Sequence, residues 1–268
     1  MSTPAPSAPD DYPSKGEDDA LVSYAEQVHP DLEVGLADVP LVPPSGGDFS
    51  AAVPLPDGTV GVVLGDVVGH GPEAAEHAER LRDAVVGAMR EGLPPQDALG
   101  FVNAAAEASP DFEGFATAFA AKVTPETGEV VYASGGHEPA LIAAPGDAPD
   151  AVAELTTTGP PLGAVAGDEA NYAAGTAHLP PGGTLLAYTD GVSEARRGGL
   201  FFGPERVRGL LVRFAGLPPV RLCRLLVGRA RAFAGRGRRL RDDAAVLALR
   251  RAEGTPAPAA TTSRDGVQ

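Results

Sequence analysis

The chain has 268 residues, 43% of them hydrophobic, 21% charged and 5% aromatic, enough to bury the core of one large globular domain. A formal charge of −15 excludes nucleic acid as a general partner, and no apolar run approaches the ~20 residues of a membrane-spanning helix. The acidic, Pro-rich start lacks the basic end and apolar stretch of a secretory signal, so the expected compartment is the cytoplasm, with no membrane partner.

Residues 1–31 and 252–268 are rich in Pro, Ala, Ser, Thr and acids without apolar periodicity, and are expected to be disordered tails around one domain at 32–251. The domain opens with strands at 33–41, 49–55 and 59–66, the last two joined by Pro56-Asp57-Gly58, a hairpin turn. After Gly69-His70-Gly71 the period changes. Ala74, Ala78, Leu81, Val85 and Ala88 mark an amphipathic helix from Pro72, and a second follows Pro94-Pro95 with Leu99, Val102 and Ala106 on one side. Strands are expected again at 115–123, 129–133, 140–143, 151–156 and 183–189, then a helix from Pro204 with Val207, Leu210, Leu211 and Phe214 inward. A helix over 218–234, with Cys223 as a core residue, and a last strand at 244–249 complete the domain. Short successive strands argue for antiparallel pairing, and strand blocks separated by helix pairs for an α+β protein in which two packed sheets carry helices on their outer faces.

Charge is uneven along this order. Residues 35–195 are net −19, whereas residues 196–251 carry fifteen arginines against Glu205, Asp242 and Asp243 and are net +12. The basic part is either a solvated surface or a docking face for an acidic or phosphorylated protein.

Four aspartates share one context, a predicted strand edge: Asp48 in Ser45-Gly46-Gly47-Asp48-Phe49, Asp66 in Leu64-Gly65-Asp66-Val67, Asp190 in Tyr188-Thr189-Asp190-Gly191, and Asp242 in Arg241-Asp242-Asp243-Ala244. Each alone is equally a turn or cap residue. Brought together, four carboxylates would repel unless cations neutralised them, and oxygen-only ligands suit hard ions such as Mg²⁺ or Mn²⁺. His70, between glycines ahead of a helix, is either a proton donor or a loop-stabilising residue; His137 reads as structural.

The motifs follow in order: Gly46-Gly47-Asp48-Phe49, Gly65-Asp66-Val67-Val68-Gly69-His70-Gly71, Gly135-Gly136-His137-Glu138-Pro139, Pro161-Leu162-Gly163, Thr189-Asp190-Gly191-Val192-Ser193-Glu194, Phe202-Gly203-Pro204-Glu205-Arg206-Val207 and Asp242-Asp243. Over about residues 35–250 this series resembles the bacterial metal-dependent protein phosphatases of the sporulation and stress-response type, a branch of the PPM (PP2C-like) family. The resemblance implies a four-layer α-β-β-α sandwich, two mainly antiparallel sheets flanked by helix pairs, with a centre of two Mn²⁺ or Mg²⁺ ions. By matching motif, Asp66 would bridge the ions, Asp48 and the Val67 carbonyl would complete the first site, and Asp190 and Asp242 would hold the second. Asp243 competes for the last role. Thr189 and Glu194 would support the ligands.

The implied activity is hydrolysis of phosphoserine or phosphothreonine on a regulatory protein by metal-activated water, the usual substrate in this branch being a phosphorylated anti-anti-sigma factor. Control is then expected from expression, from a separate activating protein, or from the helix pair at 72–106, since the start is too short for a sensor domain. Ala51 and Ala245 stand where the family pattern often has an aspartate and a threonine, departures that bear on rate or metal affinity. No arginine precedes Arg80, so the metals, or Arg196 and Arg197, would have to clamp the phosphate. The alternative is a catalytically silent module of the same fold that sequesters a regulator. The likeness of Gly46-Gly47-Asp48-Phe49 to a diguanylate cyclase signature lacks its glutamate.

Overall fold

The computed structural model describes residues 22–41, 46–109, 112, 114–146, 148, 151–167, 169–235 and 240–254. The chain runs through β1 (Val22–His29), β2 (Leu32–Val39), β3 (Asp48–Pro54), β4 (Val60–Val67), α1 (Pro72–Arg90), α2 (Pro95–Ala108), β5 (Ala116–Val123), β6 (Glu129–Gly135), β7 (Ala140–Ala143), β8 (Ala153–Leu155), β9 (Gly175–His178) and β10 (Thr184–Tyr188). It continues through α3 (Asp190–Ser193), β11 (Arg196–Arg197), β12 (Leu200–Phe201), α4 (Pro204–Phe214), α5 (Pro219–Ala234) and β13 (Ala244–Arg251).

The strands form two antiparallel sheets, one ordered β1-β2-β13-β10-β7-β8 and the other β3-β4-β5-β6-β9, with β11 and β12 as a separate small hairpin. The central strands β4, β5, β10 and β13 read as nearly continuous apolar runs because both of their faces are covered. Between the sheets lie Leu36, Val62, Leu64, Phe119, Leu185 and Leu247, each contributing about 1.5–3 kcal/mol by burial. On the outer face of the five-stranded sheet, α1 packs on β3 and β4, and α2 on β5 and β6; on the six-stranded sheet, α5 lies across β2 and β13 with α4 beside it. The result is the expected four-layer α-β-β-α sandwich.

Helix α1 starts where Pro72 follows Gly71 at φ 86°, and it buries the expected stripe of Ala74, Ala78, Leu81, Val85 and Ala88. In α4, Val207 and Leu211 are buried, whereas Leu210 and Phe214 are only partly so. Cys223 is fully buried on α5, its thiol donating to the Gly35 carbonyl at 3.2 Å. Among the described residues, no helix is long and apolar enough to cross a membrane.

Two features differ from the sequence expectation. Residues 22–29, placed above in a disordered tail, form β1, paired with β2 through Tyr24 opposite Leu36. This edge strand exposes most of its side chains and is held by its ladder, so it carries no apolar alternation to read. Of the two expected tails, residues 1–21 and 255–268 lie outside the described residues. Strands β9, β11 and β12 and helix α3 were also not expected; each has four residues or fewer.

The sheet-to-helix spacing is set by Gly35. A Cβ there would stand 2.0 Å from the Val220 nitrogen and 2.3 Å from the Pro219 carbonyl carbon, both backbone atoms of the first turn of α5. Gly35→Ala is therefore expected to cost about 3 kcal/mol, lowering Tm by about 6–12 °C in a thermal melt.

Candidate metal centre

The site is built where the ends of the two sheets meet. On the five-stranded sheet, Asp48 of β3 stands directly opposite Asp66 of β4, which in turn stands opposite Thr117 of β5. Alternation points Asp48 and Asp66 to the same face as Leu64 and Ala52, toward the other sheet, so two like charges sit side by side. Val67 then turns its backbone inward. Its N–H donates to the Gly47 carbonyl at 3.0 Å, while a Cβ on Gly47 would meet the Val67 carbonyl oxygen at 2.5 Å and Asp66 Oδ1 at 3.3 Å. Glycine at 47 thus keeps open a cradle edged by two carbonyl oxygens, of Val67 and Gly69, and one carboxylate oxygen.

The six-stranded sheet supplies the other half. Asp190 follows β10 as the first residue of α3, and Asp242 and Asp243 precede β13, the strand next to β10. Thr189 joins the halves: its N–H donates to the Ala245 carbonyl at 3.0 Å, its hydroxyl accepts from the Ala245 N–H at 2.9 Å, and the same hydroxyl donates to Asp48 Oδ2 at 2.8 Å. The neighbouring aspartates 242 and 243 divide their work. Asp243 is buried, and its carboxylate accepts from the N–H groups of Leu41 at 2.5 Å and Gly47 at 2.6 Å. Asp242 is exposed, with Oδ1 accepting the Asp243 N–H at 2.9 Å.

The carboxyls of Asp48, Asp66, Asp190 and Asp242 are each shifted upward, and their causes overlap. Burial, then the charges of Asp190, Asp242 and Asp243, push the Asp66 carboxyl up to about 7. Burial and the nearby Asp66 hold Asp48 well above the usual carboxylate range. Asp190 is raised to about 6 by burial, Asp242, Glu194 and Glu138, and Asp242, exposed at its surface, is raised by partial desolvation from the groups crowded around it and by the charges of Asp243 and Glu194.

Among the described residues, no group of three or more His, Cys, Asp or Glu side chains is arranged as a ready-made metal cage. The donor chemistry nevertheless fits a hard cation. Asp48 Oδ1 is buried and accepts no hydrogen bond, and the neighbouring Asp66 carboxyl can satisfy it only through a shared proton or a common cation.

Other residues singled out in the sequence are distributed around this centre. His70 is exposed and close enough to Asp242 for its charge to favour the ionised carboxylate. His137 is buried, its Nδ1 2.8 Å from Thr117 Oγ1, and burial pushes it down to about 4, so it stays neutral. Ala51 faces the α1 layer, on the opposite side of β3 from Asp48. Arg196 and Arg197 lie on β11; Arg196 is 3.6 Å from Glu194.

Three polar residues of the site were not singled out. Glu138 lines a cavity of about 290 Å³ with Thr117, His137 and Asp190, accepts from Ser193 Oγ at 3.3 Å, and is raised by burial. Asp38 of β2, raised to about 6 by burial and Asp243, shares a second cavity of about 190 Å³ with Tyr24, Ser50, Arg82 and Asp48. Thr117 completes the row across β3, β4 and β5. The readable signal was phase: Asp38 falls on the same face of β2 as the core residues Val34 and Leu36.

With this geometry in place, comparison with known proteins is informative. The sequence profile of Stage II sporulation protein E (SpoIIE) matches residues 56–252. The chain belongs to the SpoIIE family. The match begins beyond Asp48, whose place in the site therefore rests on its register with Asp66. The chain is also similar to phosphoserine phosphatase RsbU of Bacillus subtilis (strain 168), 28% identical over 165 residues that cover 62% of this chain and 48% of RsbU. It resembles the crystal structure of the RsbU and RsbW domains of Rv1364c from Mycobacterium tuberculosis, with TM-score 0.73 and 28% identity, covering 87% of this chain and 63% of that one. The SiaA-PP2C domain of Pseudomonas aeruginosa shares the fold, with TM-score 0.69 at 22% identity over 81% of this chain and 85% of that domain. This SpoIIE-family chain spans about half the length of RsbU and under two thirds of the Rv1364c chain.

Proposed function

We propose that the chain is a metal-dependent protein phosphatase that hydrolyses phosphoserine or phosphothreonine on a regulatory protein, with a phosphorylated anti-anti-sigma factor as substrate. The observation that carries this reading is the buried Asp48 Oδ1 without a donor, opposite Asp66, at the point where Asp190 and Asp242 arrive from the other sheet. Support comes also from membership of the SpoIIE family and from likeness to a protein named a phosphoserine phosphatase.

Asp66 would be shared by two Mn²⁺ or Mg²⁺ ions, with Asp48 and the Val67 carbonyl on one and Asp190 and Asp242 on the other. When bound, such a pair supplies Lewis acidity and brings the pKa of water toward neutrality. The chain's own groups do the rest. Thr189 orients the Asp48 carboxylate through its hydroxyl. Asp243 holds the Leu41 and Gly47 amides and so fixes the segment that enters β3. His70, exposed and near enough to Asp242 to favour its ionised form, would give a proton to the departing serine or threonine oxygen. No protein nucleophile is required; Cys223 is sealed in the core, where burial raises its thiol.

The test is release of phosphate from para-nitrophenyl phosphate and, by intact mass, from phosphorylated antagonist proteins, with and without Mn²⁺. Activity is expected only with the metal, and Asp190→Asn is expected to lower kcat about 100- to 1000-fold. A wild-type chain that binds such an antagonist yet never releases phosphate would be the silent module instead.

A further inference from the structure

The cleft would receive only the phosphorylated residue, so the segment of a protein substrate on either side of it needs a surface of its own beside the cleft. The hairpin β11–β12 is joined to the cleft by the single turn of α3, which begins at Asp190. It leaves α3 directly after Glu194, the residue whose charge reaches Asp190 and Asp242 and whose carboxylate lies 3.6 Å from Arg196. Leu200 and Phe201 are 64% and 43% exposed, two of the few large apolar side chains left in water. The Arg196 guanidinium lies 4.2 Å from the Phe201 ring centre, so cation and apolar surface form one pad.

The pad is held from beneath. Arg206 donates through Nη1 to the Phe201 and Phe202 carbonyls at 3.1 and 2.5 Å, and stacks 4.8 Å from the Phe233 ring, which also meets Phe202 edge-on. Arg197 lies 5.6 Å from the same ring. The exposed surface is therefore presented on a rigid mount, the arrangement that lowers the ordering cost of binding. It is also the point where the chain changes sign, from net −19 over residues 35–195 to net +12 over residues 196–251.

We infer that the β11–β12 hairpin is a docking pad for the substrate protein, taking a segment beside the phosphorylated residue that carries an acidic side chain for Arg196 and an apolar one for Leu200 and Phe201. The inference rests on the phosphatase reading for where the phosphate goes, but not for how the pad is tested. The Glu194–Arg196 pair is exposed and therefore weak, so an incoming carboxylate can displace it.

The experiment measures fluorescence anisotropy of labelled peptides, with Mn²⁺ present, in which a non-hydrolysable phosphonate replaces phosphoserine. One peptide has Asp, Glu and Leu beside the phosphonate; the other has Lys and Ser at those places. The wild-type chain is expected to bind the acidic peptide more tightly. Arg196→Glu combined with Leu200→Ser is expected to weaken that binding about tenfold and leave the Lys peptide unchanged or tighter. Phe201→Ala alone, a milder change, is expected to act in the same direction. Equal binding of the two peptides by the wild type, or unchanged binding of the acidic peptide by both variants, would overturn the pad. Selective binding of the acidic peptide with no phosphate ever released from the phosphoserine version would uphold the pad and overturn the phosphatase reading alone.

Discussion

Asp66→Asn is expected to make the metal-free protein more stable and the enzyme inactive. In the absence of cations, partial burial and then the charges of Asp190, Asp242 and Asp243 hold the Asp66 carboxyl up to about 7. A carboxyl raised in the folded state binds more protons folded than unfolded, so its contribution is fully present below the unfolded value of about 4 and is lost as pH rises through about 7. The wild-type chain in EDTA is thus expected to melt at higher temperature near pH 5.5 than near pH 8, and Asp190, raised to about 6, pulls the same way. Replacing Asp66 by Asn removes that repulsion permanently. At about pH 8 a gain of about 1–2 kcal/mol is expected, seen as a Tm about 3–6 °C above wild type, with a flatter pH profile. Mn²⁺ reverses the order. The wild type is expected to gain stability from ions that bind only the folded state, while the variant gains little and loses phosphatase activity about 1000-fold. A wild-type Tm indifferent to both pH and Mn²⁺ would show that the carboxylates do not form one electrostatic unit.

What the sequence revealed of this unit, and what it hid, follow from the range over which each signal acts. The α1 stripe from Ala74 to Ala88 and the apolar runs of β4 and β13 span many residues, so their periods stand out and the blocks of strands and helices could be read from them, while the four-layer order came from the family resemblance. Strand β1 is fixed by its ladder to β2, which leaves no local pattern, and α3 is a single turn whose Asp-Gly start reads equally well as a bend. Among the candidate ligands, Asp48, Asp66 and Asp190 were legible as glycine-flanked carboxylates at strand ends, and Asp242 by its place ahead of the last strand. Their partners were not: Thr117 reaches Asp66 only through the β4–β5 register, and Glu138 meets Asp190 only where the β6–β7 turn faces α3. Between the neighbours Asp242 and Asp243, the resemblance favoured Asp242, but no local pattern showed that Asp243 turns inward to the Leu41 and Gly47 amides, packing that spans about 200 residues of chain.

That packing gives Asp243→Ala a different signature from loss of a ligand. The Asp243 carboxylate accepts two N–H groups, and Gly46 lies so close that a Cβ there would stand 2.2 Å from the carboxyl carbon. Removing it strands two donors, at about 1–3 kcal/mol each, against partial relief of the repulsion felt by Asp38, Asp48 and Asp66. The net loss is expected to be about 2–4 kcal/mol, a fall in Tm of about 5–12 °C, because desolvated amides cannot be repaired by moving charges elsewhere. Asp243→Asn keeps one accepting oxygen and should fall between alanine and wild type. Since Gly47 adjoins Asp48 and edges the Val67 carbonyl, loosening this segment is expected to weaken Mn²⁺ binding about tenfold, measured by calorimetry, without abolishing it. If Asp243 were itself a ligand, alanine would abolish Mn²⁺ binding while leaving the metal-free Tm unchanged or higher, the behaviour expected of Asp66→Asn.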